Sequence, residues 1–383
     1  MNQTFSEFDL KAVAAAHFCS RGDKQIVISE KLKVSQPQVS RLLKHARKRG
    51  LLVDRDPIFS VTCRDHLLWD EARQRFVSDD PLVRELRHLS GGLLKRVHVI
   101  YGKADDFYPE AARALIPLLN HVRLVGVTWG RTLCMTAEAL QRLSPQPLRS
   151  SPRSVEFIPL CGEPFEDRED PLQYSSSALV SLLTQVVAGP KAPNPLSLAG
   201  VYAFIPCSFA GPDVSLIRRF LLLGKGYRAI FGDPNARRQH PRPPLVEQLD
   251  TILTGVGAPI TQRQGIFLTE RINQGDLSKD DLHHLLGDMS GILVPKRTCP
   301  EPLRRRIAEL NGDRWTGMKE DHIRRCAHAH PAKSPGVVVI ASHKNRARMI
   351  LRCAQDEMIN TLIISKELAN EILRLIRNGT TDF

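Results

Sequence analysis

The chain has 383 residues, 42% of them hydrophobic and 25% charged, a balance that suits roughly two or three globular domains and argues against a disordered chain. Fifty-four Lys and Arg against 41 Asp and Glu leave a formal charge of +13, which points to an anionic partner of unspecified kind. No run approaches the roughly twenty apolar residues that cross a bilayer, MNQTFSEFDL lacks the order of a signal peptide, and the eight scattered cysteines contain no C-x-x-C pair; a membrane protein, a disulfide scaffold and a zinc ribbon are excluded, and a cytoplasmic protein is expected.

The first element is a helix near Phe8 to Ser20, with Leu10, Val13, Ala14 and His17 at helical spacing, stopped by Arg21-Gly22-Asp23. A short second helix, Gln25 to Lys31, carries Ile26 and Ser29, and Lys33-Val34 makes a tight turn. Ser35 is a suitable N-cap for a third helix, Pro37 falls in its first turn, and Gly50 closes it near Arg49. Val39, Leu42, Leu43 and Ala46 form its buried stripe, leaving Gln36, Gln38, Ser40, Arg41, Lys44 and His45 outside. Between Arg21 and Arg55 there are ten Lys or Arg and three Asp or Glu, a net of +7. This is a helix-turn-helix with a basic outer face. Gln36, Gln38, Ser40 and Arg41 are types that bond base edges in the major groove, while Lys44 and Arg47, with Lys48 and Arg49, suit phosphates. Its partner is therefore expected to be double-stranded operator DNA; the bland alternative is a basic module that binds protein.

Asp65 to Phe76 and Pro81 to Leu89 read as short amphipathic helices in a connector, either an oligomerising element or a spacer. From Arg96 onward strands alternate with helices. Strands are expected at Val97–Tyr101, Arg123–Val127, Val155–Leu160, Val201–Ile205, Ala229–Phe231, Thr251–Val256, Val337–Ala341 and Thr361–Ser365. Helices are expected at Pro109–Leu119, from Thr132 to Leu143, and at Ser176–Val187, Lys279–Leu286, Asn345–Gln355 and Lys366–Ile376. The alternation predicts an α/β class, a doubly wound and mostly parallel sheet whose ligands bind at the strands' carboxyl ends. Glu163–Asp170, Arg237–Pro244 and Gly312–Pro335 read as surface insertions. The expected organisation is a winged-helix-like helix-turn-helix domain at 1–56, a connector at 57–90, and an effector and oligomerisation domain at 91–383.

The order of motifs resembles the SorC family of sugar-binding bacterial transcription regulators over nearly the full chain. The resemblance rests on SEKLKVSQPQVSRLLKHAR within the reading head and, most specifically, on VGVTWGRTL at 125–133. Gly255-Val256-Gly257, then Gly287-Asp288 with Ser290-Gly291, then VVVIASHKNRARMILRC and INTLIISKELANEIL follow in family order. It implies a sheet related to sugar-phosphate isomerases, used as a sensor of a phosphorylated sugar or related metabolite, in a homo-oligomer that is typically a tetramer; nothing in the residues separates tetramer from dimer. Gly126, Thr128, Gly130, Arg131, Thr132, Gly257, Asp288, Lys344 and Arg346 are the effector-binding candidates. Independently of the resemblance, Gly130, Arg131 and Thr132 sit between a strand and a helix start, where amides and the helix dipole favour an anion. The alternative for this loop is a tight turn with Trp129 in the core. Asp288 is either the acid facing the sugar or an ordinary turn residue, and Gly257 either a close approach or a turn.

One block departs from the pattern. Where the family carries a Gly-Gly pair and, three residues on, a Lys on the ligand phosphate, this chain has Ser342-His343 and Arg346, with Lys344 as the near alternative. A sensor with an altered or degenerate site is thus one reading. An isomerase-like enzyme with Asp288 as base is another, and would leave the reading head without a purpose. No catalytic residue, metal ligand or cofactor is assigned. Cys326, His328 and His330 form a weak candidate metal clip, and His283-His284 reads as a solvated helix face.

Overall fold

A computed structural model describes residues 5–20, 22–53, 58–59, 68, 72, 88, 93–101, 106–119, 122–143, 155–162, 174–189, 204–232, 243–258, 266–329 and 334–379. Three helices open the chain: α1 (Glu7–Ser20), α2 (Gln25–Leu32) and α3 (Gln36–Lys48). Lys33, in the left-handed conformation at φ 50°, ends α2 and lets Val34 N–H reach back to Ser29 O. Ser35 then starts α3, where Gln38 Oε1 accepts from the Ser35 N–H at 2.9 Å, a side chain closing the end of its own helix. At the far end Gly50 takes φ +74° and Leu51 N–H bonds Ala46 O, the reverse turn that a glycine favours there. An antiparallel pair, β1 (Leu52–Val53) and β2 (Ile58–Phe59), follows as a small wing with Leu52 opposite Phe59.

Leu10, Val13, Ala14, Ile28, Leu32, Val39, Leu42, Leu43 and Ala46 enclose one apolar core, to which Leu68 and Ala72 also belong. Ile28, not Ile26, anchors α2; Ile26 is exposed, because the helix turns its 28/32 edge inward. The expected helices at Asp65–Phe76 and Pro81–Leu89 lie outside the described residues except at Leu68, Ala72 and His88.

The larger part is built on a six-stranded, all-parallel sheet: β3 (Arg96–Ile100), β4 (Leu124–Val127), β5 (Glu156–Pro159), β6 (Thr251–Thr254), β9 (Gly336–Ala341) and β10 (Thr361–Ser365), in the order β3-β10-β9-β6-β4-β5. Strands β4, β6, β9 and β10 are buried throughout and are largely Val, Ile and Leu, whereas the edge strand β3 is mostly half-buried. One face packs on α4 (Phe107–Leu119), α5 (Arg131–Leu143) and α6 (Ser176–Ala188) through Val125, Val127, Val338 and Ile340. The other, through Ile252, Val337, Val339 and Ile364, packs on residues of α11 (Glu320–His328), α12 (Ala347–Gln355) and α13 (Lys366–Arg377). Helices α7 (Gly211–Leu221), α8 (Lys225–Phe231), α9 (Ile266–Asn273) and α10 (Glu301–Glu309), and the antiparallel hairpin β7 (Leu285–Met289) with β8 (Ile292–Pro295), complete the described elements. Among them no helix is long and apolar enough to cross a membrane.

Three expectations are corrected. Ala229–Phe231 is the end of helix α8, its apolar triplet being one exposed-to-buried helical turn. Lys279–Leu286 is a 3₁₀ turn, Asp280–His284, running into strand β7; Gly287 and the hairpin pairing override the helical pattern. His283 and His284 therefore lie on that turn. Gly312–Pro335 is no insertion: Trp315 is fully buried, and Met318, Ile323, Cys326 and Ala327 join the core. Of the strand expected at Val201–Ile205, only Phe204 and Ile205 are described, and Phe204 bridges Trp315. Glu163–Asp170 and Arg237–Arg242 lie outside the described residues.

Candidate functional site

On the head, Gln36, Gln38, Ser40, Arg41, Lys44 and Arg47 are all exposed along α3, while Val39, Leu42, Leu43 and Ala46 are buried. The helix thus presents a continuous polar and basic face. Gln38 spends its oxygen on the helix cap, bonding both the Ser35 N–H and hydroxyl. His45 is half-buried and ties α3 to α1, its Nε2 2.9 Å from Asp9 Oδ1, so it leaves the outer face assigned to it. Arg49 Nη1 donates to the same carboxylate at 2.9 Å. Hydrogen bonds from Ser6, outweighing burial, and those from His45 and Arg49 hold Asp9 below the usual carboxylate range.

In the sheet, the chain runs from β4 outward to β5, returns to lay β6 on the other flank of β4, and continues outward through β9 and β10. The crevice between the carboxyl ends of β4 and β6 is the point of reversal, where this class of sheet binds ligands. Thr128 follows β4, Thr254 ends β6, and Thr128 Oγ1 donates to Thr254 Oγ1 at 3.1 Å. Thr254 Oγ1 also lies 2.8 Å from Ser290 Oγ in the β7–β8 turn. All three hydroxyls are buried. Ser290 holds φ 58°, a conformation that costs a non-glycine residue energy and is kept by its surroundings.

Asp288 is carried to this crevice by β7. Gly257 N–H donates to Asp288 O at 2.8 Å, and a Cβ on Gly257 would fall 1.8 Å from Asp288 Oδ1. Gly287, at φ +152°, leaves no room either: its Cβ would lie 2.0 Å from Gly257 O. The close approach read at Gly257 is therefore made by the protein's own hairpin. Asp288 is only 6% exposed; burial pushes its carboxyl up to about 6, against the pull of Arg346 and the Gly291 amide. Burial likewise lowers Arg346, with Asp288 opposing, and Arg346 Nη1 is buried with no hydrogen-bond partner among the described residues.

The other candidates divide. Gly130 caps α5, its N–H taken by Tyr174 O at 3.1 Å, while Arg131 is exposed at the first turn with its guanidinium 5.8 Å from the Tyr174 ring. Thr132 follows, half-buried, its carbonyl accepting from Thr136 Oγ1. Trp129 meets Trp315 edge-on, centroids 5.7 Å apart. Gly126 lies back inside β4, where Leu160 and Leu249 fill the space of a Cβ. Lys344 is exposed and adds, after Arg374, to what holds Glu371 of α13 below the usual carboxylate range. Of the metal-clip residues, Cys326 is buried in the core, its thiol pushed up to about 12, mainly by burial; His328 pairs with Glu357 at 3.1 Å; His330 lies outside the described residues. Sequence reading missed Thr254, Ser290 and Tyr174. A polar residue closing an apolar strand, as Thr254 does, was the available signal.

No protein-family model matches the sequence, and no curated protein does. Solved structures do. The full-length sorbitol operon regulator SorC from Klebsiella pneumoniae is 19% identical, with 97% of this chain and 100% of that chain covered at a TM-score of 0.55. A probable sor operon regulator from Shigella flexneri is 16% identical over 76% of this chain and 98% of that chain, at a TM-score of 0.50. At these identities the likeness is one of fold, and it runs almost the whole length of the chain, in agreement with the resemblance of the motifs.

Proposed function

We propose that this chain, with the fold of a sugar operon regulator, is a DNA-binding transcription regulator whose sheet domain senses a phosphorylated sugar or related metabolite. The observation that carries the reading is the conjunction of two surfaces: the exposed basic face of α3, on a head with its own core, and a switch-point crevice lined by hydroxyls, a carboxylate and a guanidinium. Neither surface has a use to the other except as reader and sensor. We divide the chain as 1–56 for DNA reading, 57–90 as connector and 91–383 as sensor, supported by the separate apolar cluster of the head.

In this reading Gln36, Ser40 and Arg41 face base edges, and Lys44 and Arg47 face phosphates. Gln38 joins the former through its amide nitrogen only. Thr128, Gly130, Arg131 and Thr132 form the anion side of the sensor, and Asp288 and Arg346 its inner corner. The protein acts as a homo-oligomer, since two half-sites require paired heads; that the oligomer is a tetramer rests on the family resemblance alone. Effector binding shifts the population between subunit arrangements that differ in head separation.

The test is fluorescence anisotropy on the DNA upstream of the protein's own gene, with and without a panel of sugar phosphates. Salt-sensitive binding altered by one compound is the expected result; failure both there and in random-site selection overturns it. The raised carboxyl of Asp288 favours one second reading, an isomerase-type enzyme with Asp288 as proton-transfer base. Turnover of common sugar phosphates would support that reading over the first.

A further inference from the structure

Helical spacing divides the outer side of α3. Ser40, Arg41, Lys44 and Lys48 run along its middle, whereas Gln38, His45 and Arg49 follow one border of it. Each member of that border is engaged within the head. Gln38 Oε1 accepts from the Ser35 N–H at 2.9 Å. His45 Nε2 and Arg49 Nη1 each lie 2.9 Å from Asp9 Oδ1, and because a carboxylate only accepts, the imidazole donates from Nε2. The other oxygen, Asp9 Oδ2, accepts from Ser6 Oγ at 2.5 Å, and Ser6 Oγ in turn accepts from the Asp9 N–H at 3.1 Å. The Phe8 ring stands edge-on to the imidazole, centroids 5.2 Å apart. Asp9 lies in the first turn of α1, and His45 and Arg49 at the end of α3, so acid and bases sit at the helix ends whose dipoles favour them.

The arrangement bears on DNA in two ways. A guanidinium with a carboxylate at 2.9 Å is already charge-compensated. A phosphate approaching it would meet Asp9 as well and release little counterion. In addition, one carboxylate holds two successive turns of α3 by directional, charge-assisted bonds. Those bonds fix the rotation of the helix about its own axis. The apolar stripe of Val39, Leu42, Leu43 and Ala46 fixes it less sharply, because apolar burial has no preferred direction.

Resting on the regulator reading, we propose that Asp9 is a positioning residue of the reading head: it pins α3 by the His45–Arg49 border, withdraws Arg49 from the DNA backbone, and so confines phosphate contact on α3 to Lys44, Arg47 and Lys48. The phosphate role expected of Arg49 from its charge is thereby cancelled by an acid forty positions earlier in the chain.

The experiment is fluorescence anisotropy on the full chain over a salt series, with two duplexes: the DNA upstream of the protein's own gene and a scrambled duplex of equal length. Each phosphate contact contributes about 0.9 to the slope of log affinity against log salt. Lys44→Gln and Arg47→Gln are each expected to lower the slope by about that amount, and Arg49→Gln to leave it where it is. In Asp9→Asn the guanidinium is released to a phosphate. The slope then rises by about 0.9, the scrambled duplex is bound more tightly, and the preference for the upstream DNA falls. Combining Asp9→Asn with Arg49→Gln returns the slope to the wild-type value. A merely structural Asp9 would weaken both duplexes without raising the slope, and that result overturns the proposal. A slope lowered in Arg49→Gln as in Arg47→Gln makes Arg49 a phosphate contact and overturns it too. So do slopes unchanged in all three single variants of α3, which put the phosphate contacts elsewhere. Arg49 is exposed, so its variant keeps the core of the head and decides the matter even where Asp9→Asn fails to fold. Wild type that binds neither duplex overturns the regulator reading and this proposal together.

Discussion

Arg41 and Asp288 carry the two functional readings at the residue scale. Arg41 is exposed on α3, so its truncation removes a contact to DNA and little from the fold. Arg41→Ala is expected to weaken specific operator binding by about 1–3 kcal/mol with an unchanged melting temperature; equal anisotropy titrations for the two proteins would remove Arg41 from the reading face. Burial pushes the Asp288 carboxyl from the ordinary aspartate range, near 3.8, up to about 6. A raised carboxyl means the folded state favours the proton, so this stabilising share is complete below about pH 4 and is lost as pH rises through about 6. The difference amounts to about 3 kcal/mol at neutral pH. Asp288→Asn removes the burden of the buried charge, so urea unfolding should show the variant gaining on wild type between pH 4 and 7. Parallel stability curves across that window would show Asp288 to be no more perturbed than a surface acid.

The β7–β8 hairpin is the element that assembles the proposed sensor site. It brings Asp288 and Ser290 to the ends of β4 and β6, and it does so only because two glycine backbones touch: Gly257 N–H bonds Asp288 O, and Gly287 packs on Gly257 O. Gly287→Ala combines a left-handed φ with a Cβ 2.0 Å from a carbonyl oxygen. It is expected to destabilise the protein by at least about 1–3 kcal/mol and to lose effector response, while Gly312→Ala, where nothing lies within 4 Å, serves as the control. Wild-type stability in Gly287→Ala would mean that the hairpin does not rest on Gly257. This element was poorly legible in the sequence. Leu285 and Leu286 follow a polar stretch with helical spacing, and only the antiparallel partner Ile292–Pro295, joined through a turn at Ser290-Gly291, makes them a strand. The stretch Gly312–Pro335 reads as a surface insertion for a related reason: its polar content suggests solvent, but Lys319 Nζ donates to Asn311 O at 3.1 Å and to Gly312 O at 2.6 Å. That lysine satisfies the carbonyls of the π turn Leu310–Arg314 and lets Trp315 enter the core beside it.

At the scale of the whole molecule, one apolar surface stands out. Leu216 and Phe220 on α7 and Leu223 just beyond it are 64%, 61% and 73% exposed and fall along one side of the helix, a stripe a lone subunit seldom leaves in water. It supports the proposed homo-oligomer. Replacing Leu216 and Phe220 together by Glu is expected to lower the mass found by sedimentation velocity without altering the far-ultraviolet circular dichroism; an unchanged mass would put the subunit contact elsewhere. α7 itself was not foreseen, because its burial rests on Leu221 alone and its pattern lacks a clear inward stripe.

What the sequence determined by itself is whatever depends on short-range chemistry: the caps at Ser35 and Gly50, the buried stripe of α3 with its basic reverse, the β-branched parallel strands, and the strand-to-helix loop at Thr128–Thr132. These follow from periodicity and capping, which operate within a few residues. What only the tertiary structure decided is which distant groups meet. Thr128, Thr254 and Ser290 are separated by 126 and 36 positions, and no local pattern pairs them. Asp288 lies far along the chain from Gly257 and Arg346, yet its protonation is set by the burial that packing imposes, with Arg346 and the Gly291 amide opposing it. Lys344 and Arg346 differ by two residues in a short turn that packs on α12 and α13, yet Lys344 is exposed while Arg346 keeps a buried Nη1. Burial and electrostatic pairing are properties of the packed whole, and in this protein they decide the proposed sensor site, whereas local chemistry already marks the basic helix of the proposed reading head.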